Sequence, residues 1–206
     1  MGTGLAGAGL AGCGPSDGTA SGDSASGAGA GSKSVLESLP DYDIPSPTGY
    51  LRTNWSKDPY ALCSYSALSP SRLGSRARVM LAEPVEGRLW FTGEATSVNS
   101  PAYVHGALTS GQRTAASIAS VAKAGSTVTV IGAGVSGMAC ARELIDAGFD
   151  VHIFEARDRT GGRVWTETLD GAPAEMGANW IAGVDNNPLT PIAKALGFKL
   201  DPFDYD

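Results

Sequence analysis

Apolar positions are unevenly spread along the chain, and where they gather they keep a recognisable period. "TVTVI" (Thr127 to Ile131) is a β-branched, apolar run that reads as a buried parallel strand, and it runs straight into Gly132, Gly134 and Gly137. Behind those glycines, "MACARELIDAG" sets Ala141, Leu144 and Ile145 at helical spacing and stops at Gly148, a residue suited to the left-handed position beyond a helix end. "DVHIFEA" then predicts a second strand that ends in Glu155. Upstream, "RLWFT" (Arg88 to Thr92) predicts a third strand delivering Gly93 and Glu94 to the carboxyl edge of a sheet, where ligands sit in open α/β folds. In the stretch after it, Val104, Leu108, Ala115 and Ile118 or Ala119 recur at helical spacing. Residues 1–34 show no period at all. Gly, Ala and Ser dominate them, so ordering entropy would go uncompensated and a disordered tail is expected.

These elements predict one α/β domain over residues 35–206, a Rossmann-like parallel sheet with helices on both faces and strands near 128–131, 150–154 and 88–92. A length of 206 residues allows one domain with a core but is short for a two-domain enzyme. The net charge of -6 argues against nucleic acid or anionic lipid as a partner, since both need clustered Lys and Arg, and small-molecule chemistry is the better expectation. Cys13, Cys63 and Cys140 are widely separated and have no metal-ligand spacing, so no metal site and no disulfide framework is expected. A reduced compartment is compatible with them. "LAGC" (Leu10 to Cys13) has the form of a lipoprotein cleavage box, yet no Lys or Arg precedes it and Gly interrupts its apolar stretch, so a flexible tail is the better reading. No segment reaches the apolar length of a membrane span, and a soluble protein, cytoplasmic by default, is expected.

Strand, G-x-G-x-x-G, helix and a downstream acid occur here in the order a dinucleotide site requires. The first glycine, Gly132, permits the turn; the second, Gly134, lets backbone approach a pyrophosphate; the third, Gly137, lets helix pack on strand. Glu155 stands where a carboxylate accepts hydrogen bonds from a ribose. "RDRTGGRVWT" (Arg157 to Thr166) adds Gly161, Gly162 and Arg163, a close-approach backbone followed by a guanidinium suited to a pyrophosphate or a flavin-proximal contact, which favours flavin over nicotinamide. "EMGANWIAG" (Glu175 to Gly183) offers a further small-residue loop with Gly177, Ala178, Asn179 and Trp180. Trp180 taken alone reads as a core aromatic.

Residues 127–206 resemble the N-terminal segment of the flavin-containing amine oxidases, with "GANWI" and the closing "PFDYD" leaning towards the polyamine oxidase branch. "NWSKDPYALCSYSALSP" (Asn54 to Pro70), "LAEPVEGRLWFTGEATS" (Leu81 to Ser97) and "PAYVHGALTSGQRTAASIA" (Pro101 to Ala119) resemble the C-terminal segment of the same family, so that 35–122 is C-terminal-type and 127–206 N-terminal-type. The resemblance implies FAD-dependent oxidation of an amine, with imine and hydrogen peroxide as products and oxygen as acceptor. It implies that Gly93, Glu94, Tyr103 and Val104 contact the FAD beside Gly132, Gly134, Gly137, Glu155, Arg157, Gly162, Arg163 and the 177–180 loop. Tyr65 and Tyr103 match two aromatic positions that flank the substrate amine in many members, although both could be core tyrosines. His105 has no comparable support.

Departures from the family pattern matter as well. Where monoamine oxidases have a cysteine that carries flavin covalently this chain has Ser64, so noncovalent FAD is implied. The family's middle section, with its substrate domain and a lysine near the flavin, has no counterpart: Lys33, Lys57, Lys123, Lys194 and Lys199 lie in unrelated contexts. Ala182 stands where polyamine oxidases often place an acid or histidine, which weakens a polycation substrate. The reversed order of the two segments leaves three explanations open: a circular permutation, a slice across tandem copies, or an artefact of gene assembly. A non-catalytic flavin-binding or interaction module is the first rival function. Another flavoenzyme such as a carotenoid desaturase or protoporphyrinogen oxidase is the second, and "GEATS" through "YVHGA" argues against it.

Overall fold

A computed structural model describes residues 49–70 and 72–203. The expected tail at 1–34, with "LAGC", Cys13 and Lys33, lies outside these described residues. The described chain forms α1 (Arg76–Ala82), a 3-10 turn (Glu94–Thr96), α2 (Val104–Val121), β1 (Thr127–Ile131), α3 (Val135–Asp146), β2 (Asp150–Phe154), β3 (Thr166–Leu169), β4 (Ala172–Glu175) and α4 (Leu189–Ala195).

β1 and β2 pair in parallel, from Thr127 opposite Asp150 to Ile131 opposite Phe154, as the two apolar runs predict. α3 crosses between them and ends as the sequence suggests. Gly148 takes φ 82°, its N–H donates to the Ile145 carbonyl, and the Phe149 N–H donates to the Leu144 carbonyl. This pair of bonds satisfies the terminal carbonyls and turns Phe149 back into the interior, where it is 7% exposed.

The core lies between α2, α3 and one face of the sheet. Ala115 and Ile118 of α2 meet Cys140 and Leu144 of α3 and Phe149, with Trp90, Val128 and Val151 packed against them. Small residues bring the helices together: a Cβ on Gly111 would lie 2.3 Å from the Ser136 carbonyl oxygen and 2.9 Å from the Ala139 Cβ.

Three expectations are corrected. Residues 88–92 form no strand. Val85 and Leu89 close a tight turn through Glu86 and Gly87, both at positive φ, and the chain beyond it is then held by α2: Trp90 Nε1 donates to Ser117 Oγ, and Gly93 N donates to Ser110 Oγ. Side-chain hydroxyls of the helix thus take the place of a strand ladder. Among the described residues, helices also do not cover both sheet faces. Val128, Val130 and Val151 face the helices, whereas Ile131 and Phe154, adjacent on the other face, are 87% and 62% exposed. Alternation along a strand puts those two side chains on the opposite side from the valines. "TVTVI" is therefore a half-covered strand, not a buried one. Ile145 is the third case, exposed rather than on the core side of α3.

An antiparallel hairpin, β3–β4, was not foreseen. It turns at Asp170 and Gly171 with φ of 50° and 79°, the positive pair that a two-residue hairpin turn needs.

Candidate functional site

The three glycines after β1 are required for three different reasons. Gly132 has φ 99°, which L side chains rarely adopt, and its N–H bonds the Phe154 carbonyl at the end of β2. Gly137 has no room: a Cβ there would lie 2.1 Å from the Gly132 oxygen. Gly134 is different. Its φ of -77° and ψ of 175° suit any residue, and among the described residues no atom beyond its chain neighbours lies within 4 Å of where its Cβ would be. Neither conformation nor packing asks for glycine at 134. The space above it is open, beside the N-terminus of α3, which no side chain caps.

The second glycine pair lies against the first. Gly161 N donates to the Ala133 carbonyl at 2.8 Å, Gly161 bridges Gly134, and a Cβ on Gly162 would sit 3.4 Å from the Gly134 Cα. Glu155 closes the opposite side, one oxygen accepting from Ala133 N at 2.7 Å and the other from Arg157 N at 3.0 Å. Those two backbone bonds hold its carboxyl below the usual range. Arg157 in turn pairs with Asp58 at 2.7 Å and lies 5.2 Å from the Tyr60 ring centroid. The hydrogen bond from Arg157 holds Asp58 below its ordinary value as well.

Glu94 is the densest polar node. Its side chain is 7% exposed, and it accepts from Ser66 N at 2.9 Å, Ser66 Oγ at 2.6 Å, Ala102 N at 2.8 Å and Arg163 Nη1 at 2.8 Å. Burial pushes this carboxyl up, but the bonds from Ser66, Arg163 and Ala102 outweigh it and the net displacement is downward. A ligand reaching Glu94 would have to displace one of these donors. Behind it, Arg78 is 5% exposed, donates from Nη1 to Ser66 Oγ and Ala95 O, and leaves its buried Nε without a partner. Gly93, at φ 136°, points its missing Cβ towards Ser136 Oγ, 4.0 Å away in the first turn of α3. The turn at 93–94 and the glycine turn at 132–137 are thus neighbours.

The remaining predicted residues have other surroundings. Gly177 packs on the Arg163 carbonyl, where a Cβ would lie 1.9 Å from the oxygen, and Ala178 N donates to the same oxygen. Asn179 and Trp180 are exposed, and the Trp180 ring lies 5.4 Å from that of Phe203. Val104 opens α2 half-buried. Tyr103, the residue before it, is 49% exposed and stacks on His105 at 5.2 Å. Tyr65 is 59% exposed. The described ring contacts do not pair Tyr65 with Tyr103. A cavity of ≈ 490 Å³ is lined by Asp158, Arg159, Thr160, Val164, Trp165, Thr166 and Glu167, none of them in the glycine turn. Arg159 lies over the Trp165 ring there at 4.5 Å. Cys140 belongs to the core, and burial pushes its thiol up to about 11.

A family model described as flavin containing amine oxidoreductase matches residues 33–119 and 135–206, together more than half of the chain. The chain belongs to this family. Among curated relatives, Probable polyamine oxidase 4 of Arabidopsis thaliana is 53% identical over 74 residues, 35% of this chain and 15% of that protein. Putrescine oxidase of Kocuria rosea is 46% identical over 72 residues, again 35% and 15%. A solved structure of wild-type putrescine oxidase bound to putrescine is 44% identical and covers 35% of this chain and 17% of that one, with a TM-score of 0.30. The chain thus spans about 15% of the length of these two curated relatives. Membership of this family makes flavin the cofactor. No helix among the described residues is long and apolar enough to cross a membrane.

Ser66, Arg78, Asp58 and Tyr60 are contacts the sequence did not announce. Asp58 and Arg157 are 99 residues apart, and neither neighbourhood carries a mark of the other.

Proposed function

We propose that this chain binds FAD noncovalently between the 93–94 turn, the glycine turn and the 161–163 loop, and serves the oxidation of an amine with oxygen as acceptor. Gly134 carries the reading: it is a glycine that the protein's own conformation and packing do not require. In this reading the pyrophosphate lies over Gly134, facing the free N–H groups that begin α3. Glu155 stands beside the ribose, and Arg163 adds a cation near the phosphates. Val104 lies at the N-terminal end of α2, where the helix dipole favours negative charge on the ring system. Gly162, Gly177 and Ala178 keep the adjoining wall low, and Asn179 and Trp180 border it. Tyr65 and Tyr103 offer aromatic faces to the amine, which attract it and exclude bulk water. Bound flavin supplies the acceptor for the hydride leaving the amine α-carbon. The likeness to putrescine and polyamine oxidases supports a small aliphatic amine. The finer fold, a Rossmann-like FAD domain lacking the family's middle section with its two end segments in reversed order, is part of the same proposal.

The test is flavin retention. Protein purified with added FAD is expected to hold a yellow chromophore that Gly134→Val loses while keeping its circular dichroism spectrum. Equal retention by both proteins, or by neither, refutes the assignment. A second reading, a flavin-binding module without turnover of its own, is favoured by the exposed sheet face at Ile131 and Phe154, since a domain that finishes an active site would have its own scaffold covered. Anaerobic mixing with mono-, di- and polyamines separates the two. Bleaching that is lost in a Tyr65→Ala, Tyr103→Ala double variant supports turnover, and no bleaching supports the module.

A further inference from the structure

We infer that Asn187 fixes the His105 imidazole as its neutral Nε2–H tautomer, and that this imidazole positions the Tyr103 ring at the N-terminus of α2. The inference rests on the proposed role of Tyr103 as an amine-facing wall and goes beyond it by naming the residues that set that wall.

Asn187 is 6% exposed, so each of its polar atoms needs a partner. Its Oδ1 accepts from Leu189 N at 3.0 Å, and its Nδ2 donates to the Ala182 carbonyl at 3.2 Å and faces His105 Nδ1, also at 3.2 Å. Turning the carboxamide over would set Oδ1 against the Ala182 oxygen and the NH2 group against the Leu189 N–H, two repulsive contacts in a buried place. The amide orientation is therefore fixed by backbone. Its second N–H has His105 Nδ1 as its acceptor, and a ring nitrogen that accepts carries no proton. His105 is thus neutral in this arrangement, with its proton on Nε2.

That ring lies 5.2 Å from Tyr103 at an interplanar angle of 15°, a stacked pair. Tyr103 has extended backbone, ψ 153°, and its ring is half open to solvent, so the stack is what sets the ring plane. The imidazole stacks on one face of the tyrosine, and in this inference the opposite face is the one that meets a ligand. A neutral imidazole behind the ring leaves the free face attractive to an amine, whereas an imidazolium there would oppose it. The tie also spans 82 residues, joining α2 to the segment that leads into α4.

Histidine-15N labelling and two-bond nitrogen–proton correlation spectra of the full chain test this without flavin or amine. The chain has two histidines, so a His152→Gln variant assigns the signals. The unmutated chain is expected to show an unprotonated Nδ1 and a protonated Nε2 for His105, and upfield-shifted Tyr103 ring protons. Asn187→Ala is expected to lose both signatures. A protonated Nδ1 on His105 in the unmutated chain overturns the inference, and that result does not depend on whether Asn187→Ala folds. Loss of Asn187 with both signatures unchanged overturns it too. Failure to bind FAD would refute the proposed function and leave these spectra as they are, so the two failures are distinguishable.

Discussion

Replacing Glu94 with Gln tests whether this acid holds the two halves of the chain together. Glutamine keeps the shape and loses the charge. Its single carbonyl oxygen can occupy the Oε1 site and still accept from Ser66 N and Arg163. Its NH2 group then faces Ala102 N–H, a donor opposite a donor, so one buried backbone N–H loses its acceptor. Ser66 Oγ can accept from the new NH2, but it already accepts from Arg78 at 2.6 Å, and its own proton is left without the carboxylate it served. An unsatisfied buried donor costs about 1–3 kcal/mol, and breaking one side of a buried ion pair reaches about 3–5 kcal/mol. Arg163 is 36% exposed and recovers part of its solvation, which places the expected loss near the low end, about 3 kcal/mol. For a folded unit of this size that is a fall of about 10 °C in Tm. Urea and thermal unfolding of the apoprotein measure it, free of any flavin contribution. A double-mutant cycle with Arg163→Met should show the pair coupled by about 1–3 kcal/mol. A loss under about 1 kcal/mol with no coupling to Arg163 would refute the reasoning and return Glu94 to the role of a ligand contact.

Gly137→Ala is expected to lower stability sharply, because its Cβ would meet the Gly132 oxygen at 2.1 Å, whereas Gly134→Ala leaves the unfolding midpoint of the apoprotein within about 1 kcal/mol; equal effects in denaturant titration would contradict the distinction drawn between them. Glu94, Glu155 and Asp58 all titrate below their ordinary values in the folded chain, so their stabilisation is complete above the unfolded carboxylate range near about 4 and is lost as pH falls through the depressed folded values. Unfolding midpoints measured from pH 7 down to 3 should therefore hold level and then drop, with a shallower drop in Glu94→Gln. Any bound flavin is expected to stay in solution after acid precipitation, since Ser64 offers no thiol; flavin in the washed pellet would show that half-buried Cys63, or another side chain, had taken up attachment.

What the sequence made legible was local. Gly132, Gly137 and Gly148 could be read because a turn, a close helix and a helix end each restrict one residue's own backbone, and the structure returns at those positions φ values that L side chains rarely adopt or a clash that any Cβ would make. The Asp170-Gly171 pair carried an equally local signal for the β3–β4 hairpin, although no element was expected there. Residues 88–92 failed for the opposite reason. A strand is defined by its neighbour, and β-branched or aromatic content at Leu89 to Thr92 cannot say whether the neighbour will be a strand or the hydroxyls of Ser110 and Ser117 on a helix. The same holds for Ile131, whose place in an apolar run says that it belongs in a strand but not that a second layer will cover it. Glu94 shows how this bears on the site. An acid after Phe-Thr-Gly is chemically fit to hold a ligand, and equally fit to receive Ser66, Ala102 and an arginine 69 residues away, so its sequence context could not choose between them. Only the positions of the donors do, and they give this carboxylate to the protein first.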